Sequence, residues 1–148
     1  MSKPDSAILL TEFQSYQAEL DKRFAIGDSE LDASHREFLA LAQHVAAAPG
    51  KELAPALNRL FKHTRDHFTN EEAWMESVDH KLFREHRAEH QRILGDMERF
   101  YERAEAGRGT MARAWVSENL MDWFSAHTQS MDRALAADIQ RETLEDND

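Results

Sequence analysis

Apolar side chains recur along this chain three and four residues apart, the spacing of one face of a helix. Phe38, Leu41, Ala42 and Val45 mark a helix over about 34–48, with Asp32 as its N-cap and Pro49-Gly50 as its stop. Leu57, Leu60, Phe61, Phe68 and Met75 mark a second, beginning near Pro55 and ending near 77 in a turn at Val78 and Asp79. Phe83, Ile93, Leu94, Met97 and Phe100 mark a third over about 81–106, broken by Gly107 and Gly109. A fourth opens at Thr110, its expected N-cap, and carries Trp115, Leu120, Trp123, Phe124 and Met131 to about 139. Short links between long helices predict an all-α fold, an antiparallel up-down-up-down four-helix bundle over 24–140. Before it, Leu9, Phe13, Tyr16 and Leu20 make residues 1–23 an extra amphipathic helix or an extended arm, and residues 141–148 read as a polar, frayed tail.

The chain has 148 residues, enough for one domain with one core. It contains 5 Gly and 3 Pro, which favours helices over a turn-rich sheet. The formal net charge is −10, with 28 acidic against 18 basic residues and no basic stripe, which argues against a nucleic-acid partner. No apolar run approaches the roughly 18 residues of a membrane span, and the first residues lack the apolar stretch of a signal peptide. The expectation is a soluble cytoplasmic protein with no membrane partner. There is no Cys, so any metal must be held by nitrogen and oxygen.

Histidine and carboxylate positions then change the picture. His67 with Glu71, and His86 with His90, are four apart and stack on one helix face, one turn apart. His35 and His127 add an imidazole from each of the other two helices. Polar groups in that number inside a bundle would be costly to desolvate unless a metal compensated them. His44 lies about 180° around the helix from His35 and reads as a surface residue. His80, about 240° from His86 and at a helix start, reads as capping or exposed. His63, one turn before His67, could ligate by spacing alone or pack at the periphery. Asp132 and Asp122 each lie five residues from His127, about 140° around an ideal helix, and spacing does not choose between them, although a local wide turn could bring either inward.

Two other motif readings explain less. His86-Arg-Ala-Glu89-His90 fits the inverted zinc-peptidase signature, with Glu89 as base, but leaves His35, His67, Glu71 and His127 without a role. A ferritin-like di-iron site requires Glu three residues before a His on two helices, and none of the eight histidines has one.

Four fragments in order carry a more specific likeness: Phe24-Ala-Ile-Gly27 with Asp32-x-x-His35; His67-Phe-x-x-Glu71-Glu72-x-x-Met75; His86-Arg-Ala-Glu-His90; and Trp123-Phe-x-x-His127-x4-Asp132. Together they span about 24–136 and resemble the hemerythrin family, in particular its single-domain bacterial members. The resemblance implies that Asp132 rather than Asp122 is the ligand and that His63 lies outside the site. It implies two non-haem iron ions bridged by an oxo or hydroxo group and by Glu71 and Asp132. His86, His90 and His127 would bind one ion, and His35 and His67 the other, which keeps one open position for dioxygen. Phe38, Phe68, Trp123, Phe124 and Thr128 are the candidate lining of an apolar pocket for it.

The chain departs from the family at Thr128, where a large aliphatic residue is usual, at Phe124 for Leu, at Leu135 for a frequent Tyr, and at Ser34 for a common Gln. These are read as drift, or, at Thr128, as a hydroxyl that admits water and speeds autoxidation. The implied function is reversible dioxygen binding for storage or delivery, without enzymatic activity. The alternatives are a sensor of oxygen, nitric oxide or redox state acting through a partner, and a di-iron enzyme acting on peroxide or nitric oxide.

Overall fold

Asp28 opens the first helix. Its Oδ1 accepts the N–H groups of Glu30 and Leu31, so α1 runs Ser29–Ala47, more than a turn ahead of the helix read from sequence. Asp32, expected as the cap, lies inside α1 and is buried, and its Oδ1 accepts the N–H of Ile26 at 3.0 Å. The computed structural model describes residues 25–146, so the N-terminal helix or arm expected over 1–23, and Phe24, lie outside the described residues.

The second helix, α2, spans Gly50–Ser77 and starts five residues before Pro55. Pro55 is the sixth helical residue, past the first turn, so the N–H it lacks removes one ladder bond, to Lys51 O, from α2. Asp79 follows with a left-handed φ of 51°. His80 N–H returns to Met75 O at 2.9 Å and Asp79 N–H to Glu76 O at 3.3 Å, which is a Schellman closure with Asp in the position that usually takes Gly. The third helix, α3, covers Phe83–Glu105 and ends in the same closure around Gly107, whose φ is 79°. Gly109 is needed for a different reason. A Cβ there would sit 2.4 Å from Leu53 Cδ2, so any larger residue would force the buried Leu53 side chain to move where the fourth rod starts against α2.

That rod is a series of segments with helical dihedrals at each junction: α4 (Thr110–Ala114), a π-helical stretch Trp115–Leu120, α5 (Met121–His127), a second π-helical stretch Thr128–Asp132, and α6 (Arg133–Asp146). Thr110 is its first helical residue and caps nothing with its side chain; Gly109 occupies the N-cap position. The polar stretch expected to fray from Arg141 is helical through Asp146, with Thr143 Oγ1 donating to Ile139 O at 3.0 Å. Its polarity matches exposure and does not end the helix.

Helices adjacent in sequence pack together, and α1 also packs on the first π-helical stretch. Leu39, Leu60, Ile93, Met97 and Leu120 from all four rods form the apolar core. Arg113 Nη1 donates to the carbonyls of Val45 and Ala46, closing the last turn of α1. A smaller cluster of Ile26, Leu31 and Ala136, with Trp74 and Ile139 against it, ties the start of the described chain to α6. Among the described residues no helix is long and apolar enough to cross a membrane.

Candidate metal centre

Beside the apolar core, the four rods turn seven polar side chains toward one another. The i,i+4 pairs do so by ordinary helix geometry: His67 and Glu71 on α2, His86 and His90 on α3. Asp132 reaches the same place only because Thr128–Asp132 is π-helical, which widens the turn and brings it in beside His127. Asp122, the other candidate, is exposed.

The two carboxylates organise the cluster. Asp132 Oδ1 lies 3.0 Å from His86 Nε2 and 3.1 Å from His127 Nε2, while Oδ2 lies 3.0 Å from His35 Nε2. Glu71 Oε1 lies 3.1 Å from His90 Nε2 and 3.8 Å from His86 Nε2, while Oε2 lies 3.5 Å from His67 Nε2. Each carboxylate therefore faces a three-histidine group with one oxygen and a two-histidine group with the other. Potential ligand atoms within each group lie within 4.8 Å of one another: Glu71, His86, His90, His127 and Asp132 in one, His35, His67, Glu71 and Asp132 in the other.

Most of this closeness is not hydrogen bonding, although His86 Nε2 and His127 Nε2 are placed for one at 3.0 Å. His35 Nε2, His90 Nε2, both Glu71 oxygens and Asp132 Oδ1 are buried without a hydrogen-bond partner among the described residues. Lone pairs crowded together without donor alignment are satisfied by cations, and unsatisfied buried groups of this kind are otherwise costly. Burial and the Asp132 charge both oppose ionisation of Glu71, yet His67 and His90 hold its carboxyl down at about 2. Burial likewise opposes ionisation of Asp132, and His127, with His35 and His86, holds it well below its ordinary value. Burial lowers His86, whereas for His67 and His127 the neighbouring carboxylates outweigh burial and raise them. Two buried negative charges among five imidazoles form a nitrogen and oxygen donor set suited to divalent metal.

Outer contacts hold the rings. His67 Nδ1 lies 2.6 Å from Ser34 Oγ, and His90 Nδ1 lies 3.0 Å from Glu72 Oε2. His63 is not in the cluster; its Nε2 donates to Ser34 O at 3.1 Å. His44 is exposed and meets Arg59 at 2.8 Å. Glu89 turns to Arg92, with Nη2 at 3.0 Å from its Oε2, and is not placed as a base beside the histidines. His80 departs from its sequence reading: it is 6% exposed and its Nδ1 lies 2.5 Å from Asp138 Oδ2, because the left-handed Asp79 turns it inward.

Aromatic rings surround the cluster. Phe68 stacks on His90 with centroids 3.7 Å apart, and Trp123 on His127 at 4.4 Å. Phe124 meets His35 edge-on at 5.5 Å and stacks on Phe38 at 4.8 Å. Thr128 is fully buried and its Oγ1 has no hydrogen-bond partner among the described residues. A cavity of about 350 Å³, whose lining includes Leu31, Ser34, Asn70 and Trp74, reaches His67 and Glu71 from outside.

Residues 27–139 match the family model described as the Hemerythrin HHE cation binding domain. The chain belongs to the hemerythrin family. A bacteriohemerythrin from Ralstonia nicotianae is 36% identical over 110 residues, covering 74% of this chain and 80% of that protein. No solved structure matches the chain. All seven clustered side chains fall inside the matched hemerythrin domain. Glu72, next to Glu71 in the motif, and Asp138, which no motif marks, both contact histidines at or beside the centre.

Proposed function

We propose that this hemerythrin domain holds two iron ions and binds dioxygen reversibly at the one with fewer histidines, as a store or carrier without enzymatic turnover. The observation that carries the reading is the two-sided placement of Glu71 and Asp132, each with one oxygen toward each histidine group. His86, His90 and His127 would hold one ion, His35 and His67 the other, with both carboxylates shared. When bound, two ferrous ions would each supply one of the two electrons that dioxygen takes up on binding and gives back on release.

The chain's own residues supply the rest. An imidazole that offers Nε2 to a metal carries its hydrogen on Nδ1, and Ser34 Oγ and Glu72 Oε2 accept those of His67 and His90. Phe38, Phe68, Trp123 and Phe124 exclude water from the cluster, and the cavity at Trp74 and Ser34 gives a small neutral ligand access from the His67 side. The antiparallel up-down-up-down order belongs to the same reading. It is supported by the pairing of Ser34 with His67 and of His44 with Arg59, which match the start of α1 to the later part of α2 and the end of α1 to the earlier part.

Metal analysis with cycles of argon and air, followed by absorption spectroscopy, tests this function. Two irons per chain and a visible charge-transfer band that appears in air and disappears under argon are expected. Fewer than two irons would overturn the reading. Irreversible oxidation at the first exposure to air would replace carriage with sensing or turnover.

A further inference from the structure

Three observations meet at His80, which lies outside the seven-residue cluster. The Schellman closure at Asp79 turns it inward, leaving it 6% exposed at the end of α2. Asp138, on α6, lies with Oδ2 2.5 Å from His80 Nδ1, and Arg141 binds the other Asp138 oxygen. A histidine that gives its Nδ1 hydrogen to a carboxylate keeps a lone pair on Nε2, and His80 Nε2 is buried without a partner.

The ring beside it is His86, with centroids 6.4 Å apart and planes at 64°. His86 directs Nε2 to Asp132 and Glu71, and its Nδ1 is also buried without a partner. With metal on Nε2, that Nδ1 bears a hydrogen. One of these two atoms is thus an acceptor lacking a donor, and the other a donor lacking an acceptor.

The geometry points to His80, backed by Asp138, as a positioning residue for His86, accepting the His86 Nδ1 hydrogen through one bridging water. At 6.4 Å between centroids, a direct N–H···N bond is out of reach and a single water spans the gap. A cleft of about 510 Å³ lined by Met75, His80 and Phe83 brings solvent to that side. The inference rests on the di-iron reading, because metal on Nε2 is what fixes the hydrogen on His86 Nδ1. It makes α6 a support for the three-histidine side through Asp138, as Ser34 on α1 supports the two-histidine side.

The test compares iron-loaded wild type with His80→Phe, His80→Gln and Asp138→Ala. It measures iron release to a chelator and the proton NMR of the exchangeable, paramagnetically shifted imidazole N–H groups. His80→Phe and Asp138→Ala are expected to speed release of one of the two irons about 10- to 100-fold and to shift one N–H resonance. His80→Gln retains an acceptor and should restore both readouts toward wild type. A variant that lowers only the melting temperature of the metal-free protein, with release and resonance unchanged, would reduce the pair to a staple between α6 and the turn and overturn the proposal. If His80→Phe does not fold, Asp138→Ala decides alone, since that side chain lies outside the apolar core. Wild type that loads fewer than two irons would instead overturn the di-iron reading, before any variant is compared.

Discussion

Asp132 Oδ1 lies 3.1 Å from His127 Nε2 although the two residues are five positions apart on one helical rod. Its Oδ2 lies 3.0 Å from His35 on α1, so one side chain joins two rods and both histidine groups. Asp132→Ala and Glu71→Ala should therefore each lower iron content to below one ion per chain. His35→Ala, which removes a ligand from one group only, should leave one ion bound. Elemental analysis of the purified variants distinguishes the two patterns.

Ser34 is the sole hydrogen-bond partner recorded for His67 Nδ1 among the described residues, at 2.6 Å. Ser34→Ala should leave the metal-free fold intact and weaken iron on the two-histidine side about 10- to 100-fold. A chelator titration that separates the two ions would detect it, and unchanged release would remove Ser34 from the site.

The hydroxyls of Thr64, Ser117, Ser130 and Thr143 bond the carbonyl four residues back, but buried Thr128 Oγ1 bonds nothing described. Thr128→Val should stabilise the metal-free protein by about 1 kcal/mol, read from urea unfolding. In the iron-loaded protein Thr128→Ile should lengthen the autoxidation half-life by replacing a hydroxyl with apolar bulk. An unchanged half-life would assign Thr128 to drift.

Acid should destabilise the metal-free protein progressively. Burial foremost lowers His63 and His86 from 6.5, so their contribution is lost as pH falls from 6.5 through their folded values. Glu71, held at about 2 against an ordinary 4.5, and Asp132, also depressed, lose theirs as pH falls below about 4.5. His67 and His127 are raised, so what they add grows as pH falls toward 6.5, against the trend, and is fully present below it, where it no longer opposes the loss. Melting temperatures of the chelated protein should fall steadily from pH 6 downward. A maximum below pH 6 would contradict these signs.

Sequence spacing was enough for the four helical rods, their breaks at Pro49-Gly50 and Gly107, and the inward faces of His67 with Glu71 and His86 with His90. It failed where backbone departs from regular α-geometry. Asp28 and Asp32 are both able caps, and only the path of the preceding chain, which brings Ile26 N–H to Asp32, assigns the cap to Asp28. An ideal helix placed Asp132 and Asp122 equally badly, and the π-helical stretch that brings Asp132 in has no spacing signature. The turn at Val78 and Asp79 was legible, but the burial of His80 depends on the left-handed conformation of Asp79, which Gly usually marks and Asp does not.

The widened turn at Thr128–Asp132 also sets the phase of everything after it. Deleting one residue there would place the aspartate four positions after His127, the same interval as His67 to Glu71, and the centre would need no wide turn. Kept at its present length but drawn tight to α-geometry, the stretch would instead rotate Asp132 and all of α6 by about 100°. Leu135 and Ala136, now 0% and 2% exposed, would swing out of the bundle, and Asp138 would leave His80. The wide turn thus works as a vernier, absorbing one residue so that the aspartate and α6 both stay indexed to the faces they bury.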